Sequence, residues 1–145
     1  MVSAPTQVAD AARLTSFLER LQSAFLSMKL EELLDAFALP LPVYSAAGLR
    51  LVREPQEFVA MARMFREIRG ETTTSAIELL SLDPIVNDRF RALAQWHHYD
   101  TEGHATGNSQ VRYFIHLRAP DQFIIEMIEF LVLPITLDQA NTIIH

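Results

Sequence analysis

The chain has 145 residues, of which 50% are hydrophobic and 21% charged, with a formal net charge of −6 and no cysteine. That is the composition of one globular domain, residues 1–145, with an ordinary hydrophobic core rather than a disordered chain. The negative balance weighs against a nucleic-acid partner, and the lack of cysteine excludes disulfides, thiolate metal sites and thiol nucleophiles.

The N-terminal stretch MVSAPTQVADAARLTS lacks the basic start and apolar core of a secretory signal. No apolar run approaches the roughly 20 residues a membrane helix needs. A cytoplasmic protein with no membrane partner is therefore expected. From Ala11 to Met28 the residues Leu14, Phe17, Leu18, Leu21, Ala24 and Phe25 recur at the spacing of a helix with one buried stripe. Leu30, Leu33, Leu34 and Phe37 repeat the pattern between Lys29 and Ala38, predicting a second, shorter helix that Pro40 and Pro42 end. Val43–Tyr44 and Leu49–Val52 flank SAAG as a small hairpin.

A third helix starts at Pro55, where a first-turn proline is tolerated, and is marked by Phe58, Met61, Ala62, Phe65 and Ile68. Gly70 supplies its cap. The basic residues Arg50, Arg53, Arg63, Arg66 and Arg69 form one loose cluster, partly neutralised by Glu54, Glu57 and Glu67. Thr72 to Leu82 reads as a strand, broken by Pro84 and Asn87–Asp88. Three more strand-like runs follow, FRALAQWHHY, SQVRYFIHLR and FIIEMIEFLV, joined by DTEGHATGN and APDQ. Helices segregated ahead of four long strands make an α+β domain.

If Tyr99 pairs with His104, and Leu117 with Phe123, alternation along each strand sorts the side chains into two faces. One face holds Ala92, Ala94, Trp96 and His98, with Val111, Tyr113 and Ile115, then Ile125, Met127 and Glu129. The helices should pack there. The opposite face is mostly polar but carries Leu93, Phe114, Ile128 and Phe130, an apolar cluster large enough to predict a homodimer through the outer sheet face.

The first-helix stripe Phe17 to Phe25, the segment DAFALPLPVY, the third helix ending at Gly70 and the run AQWHHYDTEGHATGNSQVRYFIHLR together resemble the nuclear-transport-factor-2-like (NTF2-like) superfamily, and within it the SnoaL-like group. The resemblance covers essentially the whole chain and is one of pattern, because the superfamily has no invariant motif. It implies a cone-shaped barrel of N-terminal helices on a strongly bent antiparallel sheet, a pocket between the two layers, and commonly a homodimer through the outer sheet face. The superfamily includes isomerases, dehydratases and cyclases alongside modules with no reaction, so the fold alone does not choose. In members that resemble ketosteroid isomerase, a carboxylate near the start of the first long strand is the general base. Here that region, ALPLPVYSA, has no acid.

Glu129 is the sharpest catalytic candidate, as the only carboxylate on the inner face under this register, since desolvation raises a carboxyl pKa and fits it for proton transfer. The bland alternative is a carboxylate at the sheet's end, solvated or paired with an arginine. His98 would assist it. Trp96, Tyr113 and Met127 on the inner face, with Tyr44 at the mouth, would line a ligand pocket, although inward aromatics more often form plain core. His97 and His98 point to opposite faces and cannot chelate one ion, and the glycines form no phosphate loop. No metal and no cofactor are therefore expected. The expected function is the binding of a small apolar organic ligand in the inner cavity, with isomerase-, dehydratase- or cyclase-type proton transfer as its chemistry if it is an enzyme. The alternative is a non-catalytic dimeric interaction module with a filled cavity.

Overall fold

The apolar stripe of the first helix is buried as its spacing requires. The structure, a computed structural model, describes residues 4–118 and 122–132. Helix α1 spans Ala4–Leu26, beginning before the apolar stripe, with Pro5 in its first turn where a missing amide leaves no bond unmade. It buries Leu14 and Leu18 and packs Phe17, Leu21 and Phe25 against the core. Helix α2, Leu30–Asp35, buries Leu33. The chain then runs beside the last strand: the amide of Ile125 donates to the Ala36 carbonyl at 2.8 Å, and the amide of Ala38 to the Ile125 carbonyl at 2.9 Å.

Strands β1, Leu41–Ser45, and β2, Gly48–Val52, form the hairpin around SAAG. Helix α3, Pro55–Arg69, buries Phe58, Met61, Ala62 and Phe65. It stops at Gly70, whose φ of 56° and ψ of −112° suit glycine alone. The long strands are β3, Thr74–Pro84; β4, Arg89–Tyr99; β5, Ala105–Arg118; and β6, Gln122–Val132. The sheet has six strands in the order β2-β1-β6-β5-β4-β3. The α+β class holds, and the sheet itself is mixed and open: β1 runs parallel to β6, and among the described residues β2 and β3 are its edge strands.

Two registers decide which side chains meet the helices. Between β4 and β5, Ala92 pairs with Tyr113 and Ala94 with Val111, two residues away from the expected alignment. An even shift preserves the face, so Ala92, Ala94, Trp96, His98, Ser109, Val111, Tyr113 and Ile115 all point inward and are buried. The shift is absorbed at the turn, where Tyr99 pairs with Ala105 rather than His104. Asp100 organises that turn, its Oδ1 accepting from the amides of Glu102 and His104 at 2.9 Å each.

Between β5 and β6 the expected register starts correctly, Leu117 opposite Phe123 and Ile115 opposite Ile125. It then breaks: Phe114 pairs with Met127, leaving Glu126 as an extra residue. This bulge lies beside Ile125, where the far edge of β6 passes from the Ala36–Ala38 segment to β1. From Met127 to Phe130 the side chains of β6 change face, and a second irregularity opposite Gln110 and Val111 returns Val132 to the outer one. Ile128 pairs with Tyr113 and is buried in the core, and Phe130 stacks on Phe65 with ring centroids 5.1 Å apart. Glu129 pairs with Arg112 on the outer face and Met127 with Phe114. The expected inward Glu129 and Met127, and the expected outward Ile128 and Phe130, are thus exchanged. Ala119, Pro120 and Asp121 of the APDQ turn, and His145, lie outside the described residues.

Candidate functional site

The inner faces of α1, α3 and the sheet do not close completely. They leave a cavity of about 100 Å³, partly open to solvent, bounded by Phe25 of α1, Phe58 and Phe65 of α3, and Trp96, Tyr113 and Phe130 of the sheet. Three polar side chains reach the same space: Gln22, Arg69 and Tyr113. Among the described residues lining it there is no carboxylate.

Arg69 is placed there by helical periodicity, since it follows Phe65 by four residues and Ala62 by seven on the buried face of α3. It is also in the last helical turn, where a cation is favoured by the exposed carbonyls. Burial lowers its pKa to about 10, so it remains a cation at neutral pH. Its guanidinium Nη1 donates to Nε2 of His98.

His98 is 1% exposed and sits at the centre of a network that joins both helices to three strands. Arginine carries only donors, so Nε2 of His98 is the acceptor and Nδ1 carries the proton. Nδ1 then donates to Ser75 Oγ of β3 at 2.7 Å, and the same oxygen accepts from Gln22 Nε2 of α1 at 3.2 Å. Ser109 Oγ of β5 lies 2.9 Å from Nε2. Burial first, then the charge of Arg69 and the neighbouring His97, hold the His98 pKa down at about 3. The imidazole is therefore neutral, and its one ring lone pair is already engaged. Its place is behind the cavity wall, where it holds Arg69, rather than at the mouth.

Tyr113 accepts a hydrogen bond from Trp96 Nε1 at 2.9 Å, which leaves its hydroxyl proton to give. Burial pushes its pKa up to about 12, so the phenol stays protonated. Trp96 and Tyr113 thus line the cavity. Tyr44 does not: it pairs with Glu129 and is 40% exposed on the outer face. Glu129 forms an ion pair with Arg112 there, while Glu126 bridges to Arg89 at 2.7 Å, a contact that holds the Glu126 carboxyl below the usual range. His97 and His98 do point to opposite faces, His97 lying 4.0 Å from Glu78. Among the described residues no group of three or more His, Asp or Glu could hold a metal ion, and no helix is long and apolar enough to cross a membrane.

Two polar residues of the cavity, Arg69 and Gln22, are not among those the sequence pointed to. Both occupy the apolar stripe of a helix, Gln22 four residues after Leu18, and that position is the signal that could have found them.

No protein-family model matches the chain, and no curated protein matches it. Solved structures do. An NTF-2 like protein of unknown function from Shewanella oneidensis superposes with a TM-score of 0.63 at 12% identity, over 84% of this chain and 98% of that one. A domain of unknown function with a cystatin-like fold from Nostoc punctiforme gives 0.64 at 14%, over 91% and 82%. A ketosteroid isomerase-like protein from Erwinia carotovora gives 0.60 at 11%, over 91% and 98%. With its helices packed on the inner face of a bulged six-stranded sheet, the chain has the NTF2-like, cystatin-like fold.

Proposed function

We propose that this protein binds a small, largely apolar organic molecule in the cavity between its helices and its sheet. The observation that carries this reading is the cavity itself, apolar over most of its wall and reached by a few convergent polar groups. Proton transfer of the kind expected from Glu129 requires a base at the ligand. Glu129 lies outside, and the His98 lone pair is held by Arg69. Binding is therefore the better-supported activity.

The test is a two-dimensional NMR titration of the protein with a panel of monocyclic compounds. Saturable shifts at the amides of cavity residues are expected, and Ala62→Leu, which fills the space, should abolish them. Unsaturable shifts scattered over the surface would replace this reading with the filled-core interaction module.

We further infer that two copies meet through the outer sheet face, at the end formed by β2, β1 and β6. The exposed Tyr44, Leu49 and Leu51 share that face, with Leu131 and Val132 exposed at the end of β6. Leu93 and Phe114 extend the same face across β4 and β5, whereas Ile128 and Phe130 belong to the interior. Tyr44, Leu49 and Leu51 are only 38–50% exposed, so covering them is worth roughly 0.6–1.5 kcal/mol each, and with Leu131 and Val132 the sum reaches the lower part of the ~4–15 kcal/mol that association costs. Native mass spectrometry at micromolar concentration should record two chains, and Leu49→Lys with Leu51→Lys should record one. A wild-type monomer would overturn the dimer.

A further inference from the structure

Arg69 presents a cation to an apolar cavity, and among the described residues it has no carboxylate partner; its hydrogen bond goes to a neutral imidazole. An arginine fork has five N–H donors, of which His98 takes one. A half-buried charge left without a counterion is unfavourable, and here the whole His98 network is arranged to hold it in place. Tyr113 brings a second donor to the same space, its oxygen already satisfied by Trp96 and its proton free to give. The two groups are close enough that the charge of Arg69 acts on the Tyr113 phenol. Among the described residues, everything polar that the cavity adds to its apolar wall, apart from Gln22, is thus a donor, and one donor is a full positive charge.

We propose that the ligand of this cavity is an organic carboxylate no larger than a single ring or short chain, its carboxylate held by Arg69 and Tyr113 and its hydrocarbon part among Phe65, Trp96 and Phe130. The inference rests on the binding role proposed above and specifies its chemical class. Size follows from volume: a cavity of about 150 Å³ encloses a benzene ring, so this one, at about 100 Å³, encloses less than a whole ring, and a single ring fits only by extending through the open side. Charge follows from Arg69. A neutral carbonyl compound would accept hydrogen bonds but leave the guanidinium uncompensated. Inorganic phosphate would meet the charge and leave the aromatic wall uncovered.

The experiment compares benzoate with its neutral isostere benzamide, both titrated into the full chain at pH 7.5 and followed by NMR. Benzoate should bind about 10- to 100-fold more tightly than benzamide, the range expected for a charged hydrogen-bonded pair. Arg69→Gln should remove that preference by weakening benzoate far more than benzamide, and Glu129→Gln, on the outer face, should preserve it. Equal affinities in the wild-type protein would overturn the carboxylate class and leave the apolar cavity standing. Failure of both compounds to shift cavity amides would overturn the inference together with the binding role. Loss of the preference in Glu129→Gln, or a larger response to inorganic phosphate than to benzoate, would overturn it by moving the anion elsewhere or changing its class. The wild-type comparison needs no variant, so an Arg69→Gln protein that fails to fold does not rescue the idea.

Discussion

Trp96→Ala should lower the stability of the fold by about 3–5 kcal/mol, the range for truncating a large buried aromatic. The indole is 2% exposed and stands mid-strand in β4, between Ile77 of β3 and Ser109 of β5. Removing it deletes apolar contacts on the inner face and joins a new void to the existing cavity. It also strips Tyr113 of the donor to its oxygen, in a place where water has limited access. Trp96→Phe separates the two effects, because a phenyl ring keeps most of the buried surface but cannot donate. It should lose about 1–3 kcal/mol, the penalty of a buried polar atom left unmatched. Urea denaturation at neutral pH reads both values. A loss below about 1 kcal/mol for Trp96→Ala would mean that this part of the sheet is not packed as core.

The buried position of Trp96 is legible in the amino-acid sequence alone, because β4 and β5 alternate: Ala92, Ala94, Trp96, Val111, Tyr113 and Ile115 inside, and mostly polar residues outside. That pattern tolerates an alignment wrong by two residues, since an even shift returns every side chain to the same face. The ends of α3 are equally legible, Pro55 fixing its first turn and Gly70 permitting the left-handed backbone that stops it, whereas α2 stops at Asp35, five residues before the Pro40 expected to end it. Strand β6 is not. In FIIEMIEFLV both faces are apolar, so alternation carries no information about parity, and the extra residue at Glu126 lies beside a contact with Ala36–Ala38 far away in sequence. One bulge therefore moves Glu129 and Met127 out of the pocket and Ile128 and Phe130 into it.

Arg69 illustrates a different limit. Its helical phase is visible, yet a lone arginine in a charged segment reads as solvated until the neighbouring elements are known. Only the fold shows that α3 ends over β4, so that the guanidinium meets His98 and opens onto the cavity. Placement of the site thus depends on how elements cross, and the chemistry of each side chain is clear once it is placed.

The same crossing makes the protein sensitive to acid in a calculable way. With a folded-state pKa of about 3 against an ordinary value of 6.5, His98 binds its proton far more readily when the chain is unfolded. Its contribution to stability is complete above about pH 6.5 and is lost progressively as the pH falls towards 3, below which the loss levels off. The physical cause is that protonating Nε2 would desolvate a second charge and set it against the Arg69 guanidinium, in a space where Gln22, Ser75 and Ser109 offer no negative group. At 1.36 kcal/mol per pKa unit, the loss is about 2 kcal/mol at pH 5 and about 3 kcal/mol at pH 4. Other groups also weaken the fold in acid, among them Glu126, whose carboxyl is held down by Arg89. The measurement is therefore a difference: urea stability of the wild type minus that of His98→Gln at pH 7, 5 and 4. Because glutamine takes up no proton, the difference should shrink by those amounts, and Glu126 cancels from it. A difference that stays constant with pH would place His98 in contact with water, and one that grows in acid would place it beside a negative charge; either would remove the neutral imidazole that holds Arg69 over the cavity.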